Sequence, residues 1–131
     1  MPFVLGSKSV AKLNGVHPDL VKVVKAAIKI SEVDFTVLEG LRTLTRQKQL
    51  LAAGATRTLN SRHLTGHAVD LGALIGGTVR WDWPLYFKIA DAMKAAAADR
   101  GIPLEWGGDW RTFKDGPHFQ LPWKSYPAKD A

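Results

Sequence analysis

An α+β fold is predicted for this chain, a small antiparallel sheet with about three helices packed around it. Three observations point there. Apolar residues recur at helical spacing over Leu20–Ile28 and again over Leu85–Ala96. A short β-branched and aromatic run, Phe35-Thr36-Val37-Leu38, and the strand-like stretch His67–Leu74 lie between them. The helical and strand segments do not alternate strictly, which argues against a doubly wound parallel sheet. A length of 131 residues suits one domain with a real core, and no linker or internal repeat divides it. The expectation is a single domain over residues 1–131.

Residues 1–16 carry Gly6, Ser7, Ser9, Asn14 and Gly15 with little periodic signal, and read as an extended or loop lead-in. The first helix is expected from Pro18 to about Ser31. Proline suits the opening helical position, and Asp19 favours the positive end of the helix dipole. Leu20, Val23, Val24, Ala27 and Ile28 form its core-facing stripe, and Lys22, Lys25 and Lys29 its solvated face. Phe35–Leu38 reads as a strand. Thr45 is expected to cap a second helix, Arg46 to Ala53, stopped at Gly54. A polar loop, Ala55 to Arg62, leads into a strand over His67–Leu74. Gly76-Gly77 turns that strand back through Thr78–Trp81.

Asp82 is placed to cap the third helix, with Pro84 in its first turn and Gly101 as its stop. Leu85, Ile89, Ala92, Met93 and Ala96 make its apolar stripe. Leu104-Glu105-Trp106 and His118–Leu121 read as short strands, with Gly107–Trp110 as a loop between. Pro122 and Pro127 predict an irregular tail.

The formal charge of +6 is uneven. Residues 1–65 hold ten Lys/Arg against four Asp/Glu, whereas residues 66–131 hold eight of each. No acidic residue lies between Gly40 and Val69, a stretch containing Arg42, Arg46, Lys48, Arg57 and Arg62. Such a field suits an anionic partner or serves as a solvated surface. Nucleic acid is disfavoured, since no recognition helix or stacking pattern accompanies the charge. No apolar run reaches the length of a membrane span, so membrane insertion is not expected. Met1–Lys8 lacks the basic-then-apolar pattern of a secretory signal, which predicts synthesis in a cytoplasm. Without cysteine, any metal must be held by His, Asp or Glu, and the histidines are His17, His63, His67 and His118.

The central stretch Ser61–Asp70 places a histidine seven residues before a carboxylate, and Asp115-Gly116-Pro117-His118 adds another of each. Two neutral imidazoles and one carboxylate are the ligand set of many catalytic zinc sites. A helical His63/His67 pair is opposed by Gly66 and by the strand-like run after it. On a strand, Ala68, Asp70 and Gly72 share one side, while Val69, Leu71 and Leu74 meet apolar partners. A carboxylate inside such a strand is costly unless paired. A cation would compensate it, and so would an arginine. On spacing alone, a capping histidine and a structural aspartate remain the alternative.

The pattern Ser61-x-His63-x-x-Gly66-x-Ala68-x-Asp70 resembles the signature of the M15 zinc peptidases, which cleave peptides of bacterial cell walls. The resemblance implies a hedgehog-like sheet carrying Zn2+ on His63, Asp70 and His118, with Asp115 as the catalytic carboxylate acting on a zinc-activated water. Gly40–Gln47 resembles the family's upstream arginine element, which implies that Arg42 contacts a substrate carbonyl or carboxylate. A salt bridge to Glu39 is the alternative for Arg42. Ser61 is expected to orient a ligand or bind substrate. His67 is left as a supporting or substrate-contact candidate, His17 as a surface or capping residue, and Asp109 as a turn residue. Asp115, rather than Glu, together with Trp106–Trp110 resembles the phage endolysins that cleave the L-Ala–D-Glu bond.

The resemblance therefore implies a peptidoglycan endopeptidase acting on the stem peptide as a monomer, without a separate wall-binding domain. It would be made in a host cytoplasm and reach the wall once the membrane is permeabilised. The alternatives are a D-Ala-D-Ala dipeptidase or carboxypeptidase of the same family, or a zinc-holding wall binder without turnover.

Overall fold

The computed structural model describes residues 3–55, 61–112 and 114–127. Its elements are α1 (Ser7–Lys12), α2 (Pro18–Ile30), β1 (Asp34–Glu39), α3 (Leu44–Ala52), β2 (Ala68–Ile75), β3 (Thr78–Arg80), α4 (Trp83–Asp99), β4 (Glu105–Trp106) and β5 (His118–Gln120). Short 3-10 turns cover Arg62–Thr65 and Gly107–Asp109. The strands form one antiparallel sheet in the order β1-β2-β5-β4, with β3 paired to the far half of β2.

Helix α2 follows its sequence pattern. Its buried side chains are Leu20, Val23, Val24, Ala27 and Ile28, the stripe that the spacing predicts. Pro18 opens it, and the N-cap is His17, whose Nδ1 accepts the Asp19 amide at 3.1 Å. In α4 the buried set is broader than the expected stripe and adds Tyr86, Ala90 and Ala97, while Leu85 is only partly buried. Both helices pack over one face of the sheet, where Phe35, Val37, Val69, Leu71, Ala73 and Phe119 complete the core. Ala73, not Leu74, takes the third core position on β2, because alternation puts Leu74 on the face of Asp70.

Four local expectations need correction. The N-terminal lead-in contains α1, a helix too short to show periodicity. A tertiary contact holds it: buried Ser9 Oγ lies 2.9 Å from Thr36 Oγ1 and accepts the Val37 amide at 2.9 Å. The cap of α3 is Thr43, whose Oγ1 accepts the Arg46 amide, so the helix starts at Leu44 rather than after Thr45. Asp82 holds the N-cap position of α4 without a capping bond, since its carboxylate pairs with Arg80 at 2.6 Å. Gly107–Asp109 coils into a 3-10 turn instead of an open loop, and Asp109 pairs with Lys94 at 2.7 Å. Of the expected loop over residues 55–62, positions 56–60 lie outside the described residues.

The tail is irregular as expected, but it is anchored. The Arg62 guanidinium, 2% exposed, donates to the carbonyls of Leu121, Pro122 and Tyr126 and lies 4.1 Å from the Trp123 ring. At the other end of the same turn, Gly66 adopts φ 74°, and a Cβ there would stand 2.2 Å from the Gly15 carbonyl oxygen. Positive φ and close backbone approach both require glycine at this position. We expect Gly66→Ala to destabilise the protein by at least about 2 kcal/mol, read from the midpoint of urea unfolding.

Candidate metal centre

Two neighbouring strands bring the first ligands together. Asp70 on β2 is the register partner of His118 on β5, so both side chains leave the sheet on the same face. His63 arrives from the Arg62–Thr65 turn. Ser61 caps that turn by accepting the His63 amide at 3.2 Å, and Gly66 ends it in the left-handed region. Asp70 Oδ1 then lies 3.1 Å from His63 Nε2 and 3.1 Å from His118 Nδ1. One ligand atom from each of the three residues falls within 4.8 Å of the others. Among the described residues, no other group of His, Asp or Glu side chains converges this way.

The outer nitrogens of both rings are engaged. His63 Nδ1 lies 2.9 Å from the Gly40 carbonyl oxygen, and His118 Nε2 lies 2.7 Å from Gln120 Oε1. Each ring is therefore oriented from behind, with its inner nitrogen toward Asp70. Such outer partners fix the ring angle and tautomer of a metal-ligating histidine. Two imidazole nitrogens and a carboxylate oxygen, brought together with the rings supported in this manner, fit a divalent cation such as zinc.

Electrostatics point the same way. Burial pushes the Asp70 carboxyl up, but hydrogen bonds from His118 and His63, with their charges, hold it well below the usual carboxylate range. Burial pulls His118 down, yet the bond and charge of Asp70, helped by Gln120 and Asp115, raise it overall. Asp115 differs. Burial and the negative charge of Asp70 raise its carboxyl, and His118, His63 and Arg42 only partly offset this.

Asp115 is held by backbone. Its amide donates to the Gly107 carbonyl at 3.0 Å, and its own carbonyl accepts the His118 amide at 3.2 Å. Trp106 Nε1 donates to the Gly116 carbonyl at 2.7 Å. A Cβ at Gly107 would stand 2.4 Å from the Asp115 carbonyl oxygen, which explains the glycine there.

Arg42 sits at the rim with its guanidinium already committed. Nε and Nη2 bond Glu39 Oε1, Nη1 donates to Gln47 Oε1 at 2.7 Å, and Nη2 stands 3.9 Å from Asp70 Oδ2. The pair with Glu39, the alternative reading of the sequence, is therefore formed. A register shift between Val37 and Glu39 sets Glu39 opposite Asp70. The acid-free stretch is not one basic surface either: Arg62 is buried, Arg42 is tethered, Arg46 and Lys48 are exposed, and Arg57 lies outside the described residues.

His67 stands among other partners. Its Nδ1 lies 2.6 Å from Thr65 Oγ1, and its ring stands 5.4 Å from that of His17 and 6.3 Å from that of Tyr126. Alternation along β2 puts it on the side opposite Asp70. Sequence reading missed Gln120, Gln47 and the Gly40 carbonyl as supports. For Gln120 a signal existed, because a residue two beyond His118 on a strand shares its face.

The sequence profile of the family described as phage L-alanyl-D-glutamate peptidase matches residues 1–121. The L-alanyl-D-glutamate peptidase of Escherichia phage T5 is 34% identical over 119 residues, covering 88% of this chain and 87% of that protein. The crystal structure of the L-Ala D-Glu endopeptidase ChiX of Serratia marcescens superposes with a TM-score of 0.91 at 52% identity, covering 95% of each chain. The D,D-dipeptidase VanXYg shares the fold at 22% identity and a TM-score of 0.54, over 81% of this chain and 50% of its own.

The raised Asp115 carboxyl has a consequence for stability. The unfolded chain loses this proton at lower pH than the native one, so ionisation costs the native state stability as pH rises through that interval. Asp115→Asn in chelator-treated protein should therefore melt above wild type near pH 7. The gap should close toward about pH 3, below the ordinary aspartate value. Thermal melts across pH check both.

Proposed function

The chain belongs to the phage L-alanyl-D-glutamate peptidase family, and from that premise we propose how its residues hydrolyse the bond between L-alanine and D-glutamate in the peptidoglycan stem peptide. The observation that carries the reading is the convergence of His63, Asp70 and His118 beside the raised carboxyl of Asp115. It occurs in a chain 52% identical, over 95% of its length, to the L-Ala D-Glu endopeptidase ChiX of Serratia marcescens.

His63 Nε2, a carboxylate oxygen of Asp70 and His118 Nδ1 would hold zinc. When bound, zinc supplies a Lewis acid that polarises an oxygen ligand and neutralises developing negative charge. Asp115 takes the proton of the attacking water as oxygen bonds to the carbonyl carbon of L-alanine. It then returns that proton to the D-glutamate nitrogen as the C–N bond breaks. Burial keeps its carboxyl nearer to neutrality than an exposed aspartate, which suits a group that must both accept and release a proton. Arg42, held in place by Glu39 and Gln47, presents positive charge beside Asp70 toward a substrate carbonyl or carboxylate. Ser61 acts on His63 by capping its turn. The stem peptide is anionic, so exposed Arg46 and Lys48 favour its approach. No helix among the described residues is long and apolar enough to cross a membrane.

The dipeptidase alternative gains nothing from VanXYg, because that likeness is one of fold. Digestion of purified peptidoglycan followed by mass spectrometry separates the two. New peptides with free D-glutamate amino termini are expected, whereas release of D-alanine with the L-Ala–D-Glu bond intact would overturn the proposal. Asp115→Ala should lower kcat/KM by about 10²–10⁴ while leaving zinc content near one ion per chain. His63→Ala should lose the metal itself, as elemental analysis would report.

A further inference from the structure

We infer that Glu105 is a positioning residue that, through Gln120, fixes which nitrogen of His118 carries a proton and so leaves Nδ1 free to bind metal. The inference rests on the reading of His63, Asp70 and His118 as metal ligands.

The argument is one of hydrogen-bond polarity along a chain of three side chains. Glu105 on β4 and Gln120 on β5 are register partners, and Gln120 shares the strand face of His118. Gln120 Nε2 donates to Glu105 Oε2 at 3.1 Å. A carboxylate can only accept, so the amide must turn its nitrogen toward Glu105. Its oxygen then faces His118 Nε2, at 2.7 Å. An amide oxygen also only accepts, so His118 must donate from Nε2. In the neutral ring the lone pair is left on Nδ1, which lies 3.1 Å from Asp70 Oδ1 inside the trio.

The two histidine ligands are thus set by different means. His63 Nδ1 faces the Gly40 carbonyl, a backbone group whose polarity no substitution can reverse. His118 faces a side-chain amide, which could equally present its NH2 group. Only the acceptor at position 105 removes that choice. Gln120 is 6% exposed, so water has little access with which to compensate a wrong orientation. Glu105 also acts electrostatically on buried Arg62, in the turn that carries His63. Replacing it with a cation would therefore disturb more than the relay.

Neutral variants test the idea. In Glu105→Gln, position 105 can donate or accept, and the Gln120 amide loses its imposed direction. In Glu105→Gln/Gln120→Glu, position 120 becomes an acceptor for His118 whatever its neighbour does. Full-length protein would be titrated with zinc against a chromophoric chelator. We expect Glu105→Gln to weaken zinc binding about tenfold and the double variant to return to within about threefold of wild type, the range over which outer partners tune a ligand. Histidine 15N spectra of the chelator-treated proteins, recorded at a pH high enough for His118 to be neutral, give the second readout. Wild type and the double variant should show His118 protonated at Nε2, and Glu105→Gln a mixture of tautomers. Thermal melts of the same samples report folding. Unchanged zinc affinity in Glu105→Gln, or a double variant that folds but stays weak, would overturn the relay. Failure of wild type to bind zinc would instead remove the metal reading, and the nitrogen spectra alone would then decide the relay.

Discussion

A single carboxylate oxygen sets the demands that the rest of this molecule meets. Asp70 Oδ1 lies 3.1 Å from a ring nitrogen of each of two histidines, on an inner strand of a small sheet. A carboxylate held this close to an apolar core is expensive unless positive charge accompanies it. The nearby guanidinium of Arg42 supplies part of that charge, and a cation held between the two rings would supply the rest. Each of these partners must in turn be held. The Gly40 carbonyl, Gln120, Glu39 and Gln47 hold them.

The fold can be understood as the means of bringing those pieces to one place. The core face of the sheet is closed by α2 and α4, whose apolar stripes bury Phe35, Leu71 and Phe119. This leaves the opposite face of β2 free for Ala68, Asp70 and Gly72. Small residues flank the carboxylate, so side chains from β5 and from the Arg62–Thr65 turn can reach it. The turn is itself fastened twice. Arg62 binds the C-terminal carbonyls, and Gly66 lies against Gly15, with its carbonyl accepting the His17 amide at 2.7 Å. Stability contributed by distant segments thus fixes a ligand whose own turn has only four residues.

Asp115 and Asp70 are two carboxylates in one site with opposite shifts. Asp70 is bonded by imidazoles and stays ionised. Asp115 is half-buried beside that negative charge and is pushed toward its protonated form. Separation of this sort assigns different work to chemically identical groups. One stays ionised and the other lies nearer to its neutral form. The ionised form of Asp115 works against folding, so at neutral pH the native state would be more stable without this carboxylate.

The candidate site residues were legible in the sequence through a motif that resembles a known family, since spacing alone left a capping histidine and a structural aspartate open. His63, Asp70, Asp115 and His118 stand in a pattern that chain connectivity alone preserves. The helices α2 and α4 and the sheet strands were legible for a similar reason, since periodic burial is written into a linear chain. What lacked a local signature stayed hidden. Helix α1 exists through Ser9 bonding to β1, a contact between residues 27 and 28 apart. The diversion of Asp82 to Arg80 and the burial of Arg62 under the C-terminal carbonyls each depend on which groups the folded chain brings near. The same holds for Gln120, ordinary in the sequence and decisive only because β4 sets Glu105 beside it. From the linear chain came the candidate ligand set and the layered pattern of the core. Tertiary structure alone decided how each ligand is oriented, because hydrogen-bond direction depends on neighbours that only strand register and turn closure supply.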